Sequence, residues 1–435
     1  MRVLLILILF LLSGLTTTIY SQTAEKSNSC AVKDCHDAYF QKSLVHSPAE
    51  EDCESCHDRI SSKEHPDSDG PEFELIDTGS DLCESCHDIE ITKKIVHEPF
   101  AEGGCLDCHS PHSSNTIALL RGNTQRDVCK KCHELEVAEN HYEHGPFVSN
   151  QCAGCHSGHQ TDYVGLVLMT VPSLCFQCHE EREEDLNLET VHPAFEDNCL
   201  DCHAPHTAPA PAMLLTDGNE LCFKCHDDFP SEIKVAKTVH KPVEEKGQCI
   251  MCHSPHASEL NNLLVEKEPI VCFQCHSENT EKKEKFIDIK SLMEKKYLHK
   301  PLTDGDCEDC HLPHFSSNYN LLVAAFPKGN YTKPKIESYA LCFKCHDDEM
   351  LKYKETVSLT NFRDGSRNLH YVHVMKKKSI SCQTCHDMHG ADNEHLIGNY
   401  VYYGKWKMPI GYKVTDSGGS CLPGCHVQLA YDREK

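Results

Sequence analysis

The chain is 435 residues long, carries a formal net charge of −25, and contains 30 cysteines and 32 histidines. So acidic a molecule excludes nucleic acid as a partner and favours basic docking faces or cationic electron acceptors. With the cysteines set aside, few apolar residues remain, and protein alone would build only a thin core.

The first residues, MRVLLILILFLLSGLTTTIYSQ, hold one basic residue, an apolar run from Val3 to Leu12, and small or polar residues up to Gln22. This pattern predicts a signal peptide over residues 1–21, because the apolar run is short for a membrane anchor. Cys30 and Cys35 then precede His36. Thirteen CxxCH motifs follow. They are Cys53 and Cys56 before His57, Cys83 and Cys86 before His87, Cys105 and Cys108 before His109, and Cys129 and Cys132 before His133. Next come Cys152 and Cys155 before His156, Cys175 and Cys178 before His179, Cys199 and Cys202 before His203, Cys222 and Cys225 before His226, and Cys249 and Cys252 before His253. Cys272 and Cys275 precede His276, Cys307 and Cys310 precede His311, Cys342 and Cys345 precede His346, and Cys382 and Cys385 precede His386. Cys421 and Cys425 before His426 end the series, enclosing three residues where Cys30 and Cys35 enclose four. No cysteine is left over.

Two thiols at i and i+3 lie on one face of a helical turn, where they can add to the two vinyl groups of a porphyrin while the adjacent histidine meets the iron. A lone CxxC could be half a zinc site, a redox dithiol or part of a disulfide framework. Fifteen pairs, every one closed by histidine, imply about 15 covalently bound haem c groups.

The motifs repeat. Seven two-haem units begin at His46, His97, His144, His192, His240, His299 and His373, after a single-haem segment at His36. The expected divisions are a segment over 22–42, five tandem repeats over 43–295, a sixth with a long connector over 296–352, and a C-terminal module over 353–435. An amphipathic helix is expected between Glu281 and His299, with Phe286, Ile289 and Met293 on one face. Short helices are expected after several motifs, as in CHELEVAENHYEH, and a surface loop at PKGNYTKPK. Pro111, Pro205, Pro255 and Pro313 should stop the helical turn after the motif histidine. The fold class implied is mostly irregular backbone with short α-helices packed around haems, elongated and repetitive, with little or no β-sheet.

Seventeen histidines lie outside the motifs, two more than fifteen irons need as distal ligands. His46, His97, His144, His192, His240, His299 and His373 each precede a first motif histidine by 11 to 13 residues, and each is expected to ligate the haem that follows. His112, His159, His206, His256, His314 and His389 stand three residues past a motif histidine. They are too close to it to share its iron. Two wirings are open. In one, His112 serves the haem of His133 and His65 that of His87, leaving His36 to find a ligand among His141, His370 and His395 or on another subunit. In the other, His112 serves the haem of His87, His65 that of His36, and His395 that of His426. Either is mostly bis-histidine ligation, which favours low potentials. The methionines show no offset from the motifs and read as packing. Tyr402, Tyr403, Lys405, Trp406 and Lys407 form either a docking face or part of a packed C-terminal lobe.

The paired CxxCH, the HxPH step, LCFQCH, LCFKCH and the C-terminal SGGSCLPGCH resemble the multihaem c-type cytochromes with doubled CXXCH motifs, cytochrome c3-like and similar to decahaem periplasmic conduits. The resemblance implies a non-catalytic electron carrier, exported to the periplasm or outer surface. The partners it implies are redox proteins such as other cytochromes, an outer-membrane porin or an inner-membrane quinol oxidase. Once the signal is cleaved, no membrane span is expected. A multihaem reductase or oxidase of small nitrogen or sulfur compounds, and a subunit of a cytochrome filament, are the alternatives. The first unit departs from the pattern, with CHDRISSKEH in place of HxPH.

Overall fold

A computed structural model describes residues 35–63, 65–66, 70–245, 247–277, 288–377 and 379–435. The signal segment, Cys30 and Phe286 lie outside the described residues. Two compact units divide the chain, one of residues 1–136 with 146–168, the other of 137–145 with 169–435. Both are built on one local plan.

Each CxxCH motif is a single helical turn. The His109 N–H donates to the Cys105 carbonyl at 2.9 Å, and the same bond closes the turns at His133, His203 and His386 at 3.0, 2.9 and 2.9 Å. The turn ends at the histidine itself: His109 is already extended, with ψ 147°, before Pro111 is reached. The repeat-opening histidine caps a short helix such as Ser47–Glu51 or Pro193–Asp197, with proline at its first or second position, where a missing N–H costs nothing.

Where little or no sheet was expected, two-residue antiparallel ladders recur, although no large sheet is present among the described residues. Leu44–Val45 pairs with Ser113–Ser114 and Ile95–Val96 with Gln160–Thr161 in the first unit. In the second, Thr190–Val191 pairs with Ala257–Ser258, Thr238–Val239 with Phe315–Ser316, and Tyr297–Leu298 with Gly390–Ala391. Each ladder joins the residues before a repeat-opening histidine to those just after the HxPH step of the next repeat. Buried hydroxyls then tie the ladder to the connector, since a buried polar group must be bonded. Ser114, Thr161, Ser258 and Ser316 donate to the carbonyls of Leu120, Val167, Leu264 and Leu322 at 2.5, 2.7, 2.5 and 2.6 Å.

The connectors cross through the left-handed region. Ala118, Gly165, Ala212, Asn262, Asn320 and His395 have φ of 55, 77, 55, 58, 52 and 57°. All but Gly165 hold this conformation against the steric penalty of a Cβ.

One expectation changes. Glu134–Asn140 is not helical, and Arg126 reaches over to the Leu135 carbonyl beside it; among the described residues, α-helices do follow motifs at Glu180–Asp185 and Asp228–Val235. Of the helix expected before His299, residues 281–287 lie outside the described residues, and the described part holds the helix Ile289–Leu292. The PKGNYTKPK stretch is a mostly exposed loop, held at its centre by the Asn330 carbonyl accepting the Ser381 N–H at 2.8 Å and the Gly329 carbonyl accepting the Ser381 hydroxyl at 2.7 Å.

Apolar burial is concentrated near the C-terminus, where Tyr339, Leu351 and Val374 pack with Phe326, Ile336, Phe343 and Met350. A hairpin of Tyr400–Tyr403 and Trp406–Pro409 buries Val401 but leaves Tyr402 60% and Trp406 75% exposed. A three-stranded sheet, Lys413–Thr415, Gly418–Cys421 and Leu429–Asp432, carries the last motif. No helix among the described residues is long and apolar enough to cross a membrane.

Candidate functional site

No disulfide is formed among the described cysteines. No group of three or more His, Cys, Asp or Glu side chains is gathered as for a bare metal ion, among the described residues. What recurs is a pair of imidazoles facing each other.

In the first unit His36 faces His65, with ring centroids 5.9 Å apart, His46 faces His87 at 6.0 Å, and His57 faces His112 at 6.2 Å. His97 and His133 are 6.0 Å apart, and His109 and His159 are 5.9 Å apart. In the second unit the pairs are His144 with His179 at 6.3 Å, His192 with His226 at 6.4 Å, His203 with His256 at 6.2 Å, and His240 with His276 at 6.2 Å. They continue with His253 and His314 at 5.8 Å, His299 and His346 at 6.1 Å, His311 and His389 at 6.2 Å, and His370 and His386 at 6.4 Å. Burial above all lowers the pKa of His373, and His426 is among the lesser charges acting on it.

Two imidazoles on one iron have metal–nitrogen bonds of about 2.0 Å and about 1.1 Å from each nitrogen to its ring centre, placing the centroids about 6.2 Å apart. The observed spacings match. A macrocycle that brings four nitrogens of its own needs two ligands from the chain and no more, which is the donor set found. In the second unit a continuous cavity of about 3260 Å³ is lined by such pairs as His240 with His276, His299 with His346 and His370 with His386, and by motif cysteines such as Cys202, Cys225, Cys252, Cys310 and Cys385. The residues fit haem c.

Backbone carbonyls orient the rings. Nδ1–H of His109, His156, His203, His253, His311 and His386 donates to the carbonyl nine residues later, that of Ala118, Gly165, Ala212, Asn262, Asn320 and His395, at 2.7 to 2.9 Å. These acceptors are the left-handed residues of the connectors. Among the repeat-opening histidines, His46, His97, His144 and His240 donate Nδ1–H to the carbonyls of Pro111, Gly158, Pro205 and Pro313 at 2.8 to 2.9 Å. Fixing the proton on Nδ1 leaves Nε2 as the metal donor and raises its basicity. Burial, followed by neighbouring imidazoles, lowers the pKa of His112, His159, His314 and His389, so these rings are neutral at pH 7. Burial also brings His370 down to about 4, and Thr360 bonds its Nδ1 at 2.8 Å.

The partners differ from both wirings read from the sequence. His46, His97, His144, His192, His240 and His299 face the second motif histidine of their own repeat, not the first. His112, His159, His256, His314 and His389 face the first motif histidine of the preceding repeat. The cause is the ladder: the His46 N–H donates to the His112 carbonyl at 2.7 Å, and the His97, His192, His240 and His299 N–H groups to the carbonyls of His159, His256, His314 and His389 at 2.8 to 2.9 Å. Chain crossing there turns each opening ring away from the motif it precedes. His206 makes the same backbone contact with His144, at 2.9 Å. His65 faces His36, as in the second wiring. His395 was expected as a ligand, but its ring is exposed and its carbonyl serves His386; His370, a reserve in the sequence reading, faces His386 instead. His373 lies by His426 rather than His386.

Successive centres are joined in two alternating ways. Within a repeat the two distal histidines meet at the ladder. Between repeats first cysteines meet: Cys83 hydrogen bonds with Cys105, Cys129 with Cys152, Cys222 with Cys249, Cys272 with Cys307, and Cys342 with Cys382.

No curated protein matches the chain. A family model described as the doubled CXXCH motif matches residues 46–91, 97–138, 144–184, 192–231, 240–281 and 299–351, more than half of the chain, and each match opens on a repeat-opening histidine. Six paired motifs imply about twelve covalent haem c sites, and the chain belongs to the doubled CXXCH family, making it a multihaem c-type cytochrome.

Proposed function

We propose that the chain carries single electrons along a file of fifteen bis-histidine haems c, outside the cytoplasm, without transforming a substrate. Bound haem c supplies a one-electron iron couple. The recurrent imidazole pair, 5.8 to 6.4 Å between centroids, carries this reading. In it, His46, His97, His144, His192, His240 and His299 complete the second iron of their own repeat. His65, His112, His159, His256, His314 and His389 would complete the preceding first iron, and His370 and His373 the last two. With two imidazoles supplied to an iron by the chain, no position would be left there for a small substrate. The cysteine turns hold each porphyrin edge, the connector carbonyls hold the imidazoles in one tautomer, and the ladder and cysteine contacts bring consecutive centres together. The segment over residues 1–21 supports export, and the net charge of −25 favours redox partners with basic docking faces.

Mass spectrometry of the purified protein should give fifteen haems, and oxidised samples should give only low-spin ferric resonances. A stoichiometric high-spin ferric signal would overturn the carrier reading in favour of a reductase or oxidase.

A further inference from the structure

Resting on the ligand assignment above, we infer that Arg182 raises the potential of one centre within the file, the one between His203 and His256. Three residues beyond the second motif histidine of a repeat lies a slot that covers the distal histidine of the next repeat's first centre. In one repeat the slot holds Phe229, whose ring meets His314 edge-on at 5.2 Å. In the repeat before it, the slot holds Arg182, on the helix Glu180–Asp185, and its Nη1 stands 3.2 Å from His256 Nδ1. The same position thus presents a phenyl edge to one ligand and a guanidinium to another.

An imidazole bound through Nε2 keeps its proton on Nδ1, and a neighbouring acceptor strengthens it as a donor to the metal. His203, across the same gap, has such an acceptor in the Ala212 carbonyl at 2.8 Å. His256 faces a guanidinium, which has no lone pair to offer and never loses its charge. Fixed positive charge beside the ligand opposes the ferric state, and a weaker donor does the same. The other groups around this ring are Phe195, with centroids 4.8 Å apart, the imidazoles of His192 and His203, and the counter-charges of Arg182 itself. Asp185 accepts from Arg182 at 2.6 Å and Glu181 lies 3.7 Å from it. Both carboxylates attenuate the guanidinium without reversing it, since the influence of Arg182 on His256 exceeds the opposing one of Asp185.

The test is a potentiometric titration of the full-length haem-loaded protein, followed by the low-spin ferric resonances. Arg182→Phe copies the slot of the next repeat, so it should fold. It should lower one midpoint and leave the rest in place, while Arg182→Lys retains most of the wild-type value. Asp185→Asn should raise the same midpoint. His256→Met identifies the component, since the one it displaces must be the one the other variants move. An Arg182→Phe titration superimposing on wild type, with every iron still low-spin, overturns the role of Arg182 and leaves the ligand assignment standing. A high-spin signal in the unaltered protein overturns the assignment itself.

Discussion

Replacing His112 with glycine asks which iron that histidine serves. Its ring centroid is 6.2 Å from that of His57, with 19° between the planes. Half of this gap, about 3 Å, consists of a metal–nitrogen bond of about 2.0 Å and the ring's own radius, so losing the ring leaves room for water or added imidazole. The local fold should persist, because the residue-112 carbonyl still accepts the His46 N–H at 2.7 Å and the ladder to Ser113–Ser114 is backbone alone. The losses are an edge contact with Tyr39 at 4.7 Å, about 0.5–1.5 kcal/mol, and the backbone entropy of glycine, about 0.5–1 kcal/mol. The oxidised variant should therefore fold and show one high-spin ferric iron per chain, reverting on addition of imidazole. Adding Cys53→Ser and Cys56→Ser removes the attachment at His57; the mass should fall by one haem and the high-spin signal should vanish with it. If that signal persists in the triple variant, His112 serves His87 or His133 and the pairing drawn from the ring geometry is wrong.

Ala212, at φ 55°, presents its carbonyl to His203. Ala212→Val puts a β-branched side chain in the left-handed region and should cost about 1–2 kcal/mol in thermal or denaturant unfolding while raising one midpoint potential; Ala212→Gly should leave that midpoint unchanged. Asn368 is fully buried, donating to the Met350 and Tyr353 carbonyls at 2.7 and 2.9 Å and accepting the Tyr371 N–H at 3.1 Å. Asn368→Ala strands these groups and should cost about 2–3 kcal/mol, seen first as loosening around His370 and His373 in hydrogen exchange. With a net charge of −25, the rate of reduction by a small cationic donor should fall as salt is raised and that by an anionic donor should rise, measured by stopped-flow; equal responses would exclude steering by net charge.

The cysteine chemistry was legible because it is local. Two thiols and an imidazole on one helical turn are written in five consecutive letters, and the turns form at those letters. Repeat boundaries were legible for the same reason, since a histidine recurs at each. The wiring was not, because it depends on contacts between repeats. An offset of 11 to 13 residues from His46 to His57 suggests a loop closing on one porphyrin, yet what orients His46 is a two-residue ladder to Ser113–Ser114, and alternating Leu-Val or Ser-Ser pairs carry no visible strand signal. His395 enters the second wiring only as the histidine left for His426, whereas its position equals that of Ala118, Ala212 and Asn262: a left-handed residue valued for its carbonyl. Comparing the connectors across repeats, in place of the histidines alone, would have exposed it. His370 stands outside the repeated offsets, and only packing reveals what it and Arg182 face.

The exchange of histidines between adjacent repeats has a consequence for how the molecule is made. On the proposed pairing, a chain emerging N-terminus first presents His57 before His112, His109 before His159 and His311 before His389, so each repeat's first iron would wait for the following repeat to be delivered. Maturation would then advance like a zip with one tooth always open behind the slider. A chain halted or cut between repeats would end on a centre that lacks one of its two histidines. In the module over 353–435 the pairing changes: His386 faces His370 of the same module, which follows a polar stretch between Leu351 and Asn368. On the proposed pairing, grafting residues 353–435 behind an earlier repeat should give a shorter cytochrome whose ferric irons are all low-spin.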